Sequence, residues 1–98
     1  MYVDLRVLKN MGKIVLKIKV LPKDVSTKIE DVASKVRDFL SNFGAIYRIE
    51  IQPLAFGLNV IFVTLVIEES LGSSHVEESF KDFKDGEMSI TDITRMVE

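Results

Sequence analysis

The sequence predicts an α+β domain in which a four-stranded antiparallel sheet carries two helices on one face. Two observations lead to this prediction. Four segments alternate between apolar and polar residues or form a short apolar run, which is typical of β-strands. Two others place apolar residues three and four positions apart, which is typical of amphipathic helices. Their order along the 98 residues is β-α-β-β-α-β.

The first strand is predicted over residues 13–20. Its even-numbered residues are apolar, and lysines occupy three of its four odd-numbered positions. That alternation is typical of a strand that is buried on one side. We expect Pro22 to end the strand, because proline has no backbone N–H to donate to a neighbouring strand.

The first helix is predicted over residues 27–43. Thr27 and Glu30 have the spacing of a capping box, in which two side chains satisfy backbone N–H groups at the start of a helix. Gly44 is placed where a left-handed residue often ends a helix. The apolar stripe that should face the sheet contains Ile29, Val32, Val36, Leu40 and Phe43.

The second and third strands are predicted over residues 46–52 and 60–67. In the second, alternation puts Tyr47, Ile49 and Ile51 on one face. Pro53 indicates an edge strand or a strand end, because it cannot donate to a ladder. The third strand is almost continuously apolar, which is typical of a central strand with little exposure on either face.

The second helix is predicted over residues 75–85, with Ser74 and Glu77 as a capping pair and Val76, Phe80 and Phe83 turned inward. The last strand is predicted over residues 87–97. Its alternation slips by one residue at Asp92-Ile93, and a β-bulge would explain the slip.

Right-handed crossovers between these elements give a ferredoxin-like sheet with the first and third strands in the centre. This single domain is predicted to span residues 11–98. Residues 1–10 do not belong to the scheme and are interpreted as an N-terminal extension, although Val3, Leu5 and Val7 alternate with polar residues and would allow a short extra strand.

Composition excludes several classes of function. There is no cysteine, the only histidine is His75, and the net charge is −2. A thiolate metal site and a cysteine nucleophile are excluded, and one histidine leaves little room for a metal cluster or a Ser-His-Asp triad. No Gly-rich loop opens a helix to hold phosphate. We therefore expect no cofactor, no metal and no covalent catalysis. The longest apolar run has eight residues, too few to span a bilayer, so a cytoplasmic protein is expected.

The connection between the second and third strands is unusual, because Leu54 and Phe56 occupy a loop where polar residues are the norm. Such a loop either tucks into its own core or presents an anchor to a partner. Physical reasoning alone favours the first. Gly57 indicates a positive φ angle or a close approach of two backbones.

Pro53-Leu54-Ala55-Phe56-Gly57-Leu58 resembles the Pro-x-Ala-Phe-Gly-Leu segment of archaeal elongation factor 1-beta. Met11-Gly12-Lys13, Leu21-Pro22 and the final segment from Thr91 to Val97 also resemble that family. The resemblance covers residues 11–98.

This resemblance implies a guanine nucleotide exchange factor for elongation factor 1-alpha that docks on the GTPase through Leu54, Phe56 and Gly57. In eukaryotic relatives a lysine beside the C-terminus acts as a wedge at the nucleotide site. Glu98 stands at that position here, and Arg95 is a nearby cation. These two residues are the candidates for disturbing the nucleotide site.

Two other classes share this topology. One is a small-molecule sensor of the ACT type, although the segment from Val20 to Ser26 lacks a glycine that would favour it. The other is an RNA-binding module, which needs aromatic residues on the first and third strands, where only Phe62 is found. We expect no membrane or direct nucleic-acid partner, and a monomer or a weak homodimer.

Overall fold

The computed structural model of the protein describes residues 12–24 and 28–96. The strands form an antiparallel sheet in the spatial order β2-β3-β1-β4, so the first and third strands are central as predicted. The ferredoxin-like arrangement is confirmed, whereas the proposed extension at residues 1–10 lies outside the described residues. The elements are β1 (Lys13–Pro22), α1 (Ile29–Leu40), β2 (Ala45–Pro53), β3 (Asn59–Glu68), α2 (Ser73–Ser79) and β4 (Gly86–Met96).

The core lies between one face of the sheet and the two helices. Alternate residues of the two central strands supply its floor, and the apolar stripes of the helices cover it. This burial supplies the main favourable free energy of folding. The buried residues of this core are Leu16, Ile18, Val20, Val32, Val36, Leu40, Ile61, Val63, Leu65, Ile67, Val76, Phe80 and Phe83.

A bulge in β2 overturns the predicted face of Tyr47. The pairing with β3 shifts between Ile46 and Arg48, so Tyr47 is an extra residue in the ladder. It is 79% exposed, whereas Ile46 and Ile49 pack against the core. The simple alternation failed because one inserted residue changes which side chains face inward. The prediction that Pro53 marks a strand end on an edge strand is confirmed.

The predicted slip in the last strand is confirmed as a bulge. Lys17 pairs with Asp92 and Ile18 pairs with Ile90, which leaves Thr91 as the extra residue. The Thr91 hydroxyl donates a hydrogen bond of 3.2 Å to the carbonyl oxygen of Lys17. The bulge therefore lies one residue before the predicted position, and a side-chain contact with β1 holds it.

The predicted ends of the first helix were wrong. Lys28 is the N-cap residue and makes no side-chain capping bond, while Thr27 lies outside the described residues. The helix ends at Leu40, before Gly44, whose φ angle is not positive. A Cβ atom on Gly44 would lie 2.2 Å from the carbonyl oxygen of Val66. Glycine is therefore required there by a close approach of the chain to β3.

The second helix begins two residues earlier than predicted, at Ser73. Its N-cap residue is Gly72, and no side-chain capping bond is present, so the predicted Ser74–Glu77 capping pair was wrong. A 3₁₀ turn over Phe80–Asp82 follows α2 directly. The predicted burial of the three inward apolar residues is confirmed.

Candidate functional site

The loop between β2 and β3 is a short, closed hairpin loop. Pro53 pairs with Asn59 at the end of the ladder, and the Leu54 amide donates a hydrogen bond of 2.6 Å to the Leu58 carbonyl oxygen. Between them, Ala55–Gly57 form a tight turn in which Phe56 has non-helical backbone angles. Because the closing bond joins the first and last loop residues, the tip is held as a continuation of the two strands.

Two consecutive residues at the tip have left-handed backbones. Phe56 has φ 65° and ψ 29°, and Gly57 has φ 75°. The positive φ predicted for Gly57 is confirmed. Glycine adopts this conformation readily, but a residue with a Cβ atom loses about 1–2 kcal/mol there. Costly backbone conformations of this kind cluster at ligand-binding sites.

The apolar side chains of the loop are exposed. Phe56 is 98% exposed, Leu54 is 49% exposed and Leu58 is 43% exposed. The expectation that the loop tucks into its own core was therefore wrong. A five-residue loop closed at its base projects along the strands, so its tip cannot fold back onto either face of the sheet. The loop therefore presents apolar side chains to solvent.

The strand register brings a further apolar residue to the same end of the sheet. Val20 pairs with Ile61, so the exposed Leu21 follows at the level where β3 begins. Sequence reasoning missed both Leu21 and Leu58. The position of Leu58 directly after Gly57 was an available signal, but Leu21 required the register. We call Leu21, Leu54, Phe56 and Leu58 the apolar tip.

Arg95, one of the two candidate residues near the C-terminus, lies at the opposite end of the sheet. Lys13 begins β1 and pairs with both Glu68, the last residue of β3, and Met96, the last residue of β4. At about 3.3 Å per strand residue, nearly 30 Å separate this end from the Phe56 loop. The structure therefore does not bring Arg95 together with the predicted docking residues, and Glu98 lies outside the described residues.

Arg95 is engaged in an ion pair. Its Nη2 atom lies 2.7 Å from Oε1 of Glu69, and its Nε atom lies 3.2 Å from Oε2 of the same carboxylate. The guanidinium is exposed and the carboxylate is half-buried. The two residues are 26 positions apart in the sequence, and only the fold brings them together.

His75, the one histidine of the sequence, lies on the surface. His75 is exposed on α2, and its ring makes an edge contact with Phe43 at 6.1 Å between ring centres. Within residues 12–24 and 28–96, no group of three His, Asp or Glu side chains is placed to hold a metal ion. None of the described helices combines the length and the apolar character needed to cross a membrane.

The sheet face opposite the helices is shallow and carries both polar and apolar residues. A groove of about 300 Å³ runs over it, lined among others by Lys17, Arg48, Thr64 and Phe62. Arg48 lies 3.0 Å from the Glu50 carboxylate, so one of the two groove cations is already paired. β1 and β3 present a single aromatic residue on this face, Phe62, and stacking of several bases has no platform there.

Comparison with known proteins finds one matching family. Residues 15–97 match the EF-1 guanine nucleotide exchange domain. Elongation factor 1-beta of Methanococcus aeolicus is 33% identical over 79% of this chain and 89% of its own length. The corresponding protein of Archaeoglobus fulgidus is 34% identical over 69% of this chain and 80% of its own. The corresponding protein of Natronomonas pharaonis is 31% identical over 71% of this chain and 81% of its own length.

Proposed function

Because the chain belongs to the family of EF-1 guanine nucleotide exchange domains, we propose that it accelerates GDP release from elongation factor 1-alpha by docking its apolar tip on that GTPase. Exchange needs no covalent chemistry. A protein that binds the nucleotide-free GTPase more tightly than the GDP-bound form weakens GDP binding by the same factor. The site of action is accordingly the cytoplasm, where elongation takes place.

The observation that carries the proposal is the exposed Phe56. A phenylalanine held at 98% exposure in a left-handed backbone gives no packing energy to this fold. Burying such a ring in a partner supplies about 1.5–3 kcal/mol. The ring needs an apolar pocket on the GTPase, and the half-exposed leucines beside it would exclude water from the rim of that pocket. Gly57 completes the turn that presents the ring.

The second part of the proposal concerns the opposite end of the sheet. We propose that the end carrying Arg95 and the segment leading to Glu98 reaches the nucleotide site, as the family resemblance implies. About 30 Å separates this end from the apolar tip, which is close to the diameter of a small domain. One GTPase could therefore contact both ends. The apolar tip would supply affinity, and the C-terminal end would disturb the contacts that hold nucleotide.

A matched pair of variants tests the docking site. Phe56→Ala removes the exposed ring of the tip, and Tyr47→Ala removes an exposed ring from the β2 bulge. We expect Phe56→Ala to weaken binding to nucleotide-free elongation factor 1-alpha by about 30-fold, because truncating an interface anchor costs 2 kcal/mol or more. Tyr47→Ala should bind normally. Equal affinities for both variants and the unchanged protein would exclude Phe56 from the interface.

A further inference from the structure

The ion pair between Arg95 and Glu69 joins two strands that do not touch. Arg95 pairs with Ile14 of β1, and Ile14 pairs with Ile67 of β3 on its other side. The Arg95 side chain therefore crosses over β1 to reach Glu69, which directly follows β3. The contact is made at two points, because Nη2 and Nε of Arg95 each face a different carboxylate oxygen of Glu69. A two-point contact of this kind fixes direction as well as distance.

Glu69 is itself held in place. Its amide donates a hydrogen bond of 3.4 Å to the carbonyl oxygen of Gly12, immediately before β1. The carboxylate that receives Arg95 therefore belongs to a residue tied by its backbone to the first residues of the sheet. Three chain segments meet at this end: the start of β1, the end of β3 and the end of β4.

The last residues of β4 are paired with β1 up to Met96 but have no strand on their other side in the described sheet. β4 is an edge strand with β1 as its only strand neighbour in the described sheet, and strand ends of this kind fray readily. Ile93, which lies two residues before Arg95 in β4, is exposed and adds no tight packing. The ion pair adds a side-chain link from the end of β4 across β1 to Glu69, beyond the backbone pairing with β1.

The same contact limits what Arg95 can do by itself. A guanidinium that enters a magnesium site as a free cation would have to leave Glu69 or carry the carboxylate with it. A carboxylate brought to that site would attract the metal ion instead of replacing its charge. The geometry favours a role in which Arg95 stays paired.

We propose that Glu69 and Arg95 form a positioning pair that fixes the end of β4, which lies at the end of the sheet that the proposed function places at the nucleotide site. Arg95 acts through Glu69 and not as a free cation. This inference rests on the proposed exchange function for its effect on GDP release, but the positioning itself can be measured in the isolated protein.

A charge swap tests the pair. Glu69→Arg and Arg95→Glu each place two like charges together, and the double variant restores an ion pair with its direction reversed. We expect each single variant to slow accelerated GDP release about fivefold, and the double variant to recover to within about twofold of the unchanged protein. Lys35→Asp, which breaks an exposed ion pair with Asp85 on another part of the surface, should leave the rate unchanged.

Amide hydrogen exchange measures, in the isolated protein and without the GTPase, how firmly the end of β4 is held. Faster exchange of the last β4 amides that are hydrogen-bonded to β1, in both single variants and reversed in the double variant, is the expected result. Unchanged exchange in the single variants, or a double variant that releases GDP as slowly as Arg95→Glu, would overturn the inference. If the unchanged protein fails to accelerate GDP release, the proposed function falls, while hydrogen exchange still decides whether the pair positions β4. Thermal unfolding of each variant verifies that it is folded.

Discussion

Phe56 and Gly57 adopt left-handed backbone conformations one after the other, with φ angles of 65° and 75°. Glycine tolerates this conformation, but phenylalanine does so at a cost in free energy. The phenyl ring gains no packing energy within the domain that would offset this cost, because it is almost completely exposed. Stability therefore disfavours phenylalanine at position 56, whereas the proposed docking role favours it.

Replacing Phe56 by glycine separates these demands. Phe56→Gly removes the left-handed penalty, while the added freedom of glycine in the unfolded chain offsets part of the gain. We expect the free energy of unfolding to stay the same or rise by up to about 1 kcal/mol, which would raise Tm by several degrees in a domain of this size. Binding to the GTPase should fall as it does in Phe56→Ala. A clear loss of stability in calorimetry would show that the ring packs against the domain.

Two glycines are expected to differ sharply in their tolerance of alanine. Gly44→Ala would place a Cβ atom 2.2 Å from the Val66 carbonyl oxygen, so the chain must move away from β3. Gly57→Ala meets no atom within 4 Å and adds only backbone strain. We expect losses of about 3 kcal/mol and about 1 kcal/mol, respectively.

Urea unfolding of the two glycine variants provides the comparison, with equal m values as the sign that both remain two-state. Gly72→Ala is a useful reference, since Gly72 also has a positive φ angle and open space around it. Similar losses for Gly44→Ala and Gly57→Ala would contradict the close approach at Gly44.

The leucines of the apolar tip should contribute less than Phe56. Leu54→Ala and Leu58→Ala each remove a half-exposed side chain, and burial of such a side chain in a partner should contribute about 1 kcal/mol. We expect the Kd for nucleotide-free elongation factor 1-alpha to rise about fivefold in each variant. Titration calorimetry measures this directly. If Leu54→Ala and Leu58→Ala bind as Tyr47→Ala does, the contact is confined to Phe56.

Linkage gives a quantitative test of the exchange mechanism. The factor by which saturating GDP weakens binding of this protein to the GTPase should equal the factor by which this protein weakens GDP binding. Both can be measured with fluorescent GDP and a labelled exchange domain at one magnesium concentration. If this protein binds the GDP-bound and nucleotide-free GTPase equally well, it cannot shift the equilibrium between them.

Periodicity predicted the elements because it records burial. Leu16, Ile18 and Val20 alternate on β1, and Val32, Val36 and Leu40 recur on α1, since each set faces the same core. The bulge at Tyr47 could not be predicted from periodicity. The residues around it still alternate between apolar and polar side chains, even though the strand contains one extra residue. The need for glycine at position 44 could not be predicted from periodicity either, because it arises from the close approach of the chain to β3.

The candidate site was only partly predictable, and again for physical reasons. The sequence showed that Leu54 and Phe56 were out of place in a loop, but their exposure depends on the bond that closes the loop between Leu54 and Leu58. The ion pair between Arg95 and Glu69 depends on the register of three strands, which no local pattern contains.

The most direct measurement is the release of fluorescent GDP from elongation factor 1-alpha of the same organism at increasing amounts of this protein. We expect faster release at amounts well below those of the GTPase, because a factor that dissociates after exchange acts repeatedly. Phe56→Ala should require much higher concentrations for the same rate. A release rate that stays at its spontaneous value at every concentration of the unchanged protein would contradict the proposed function.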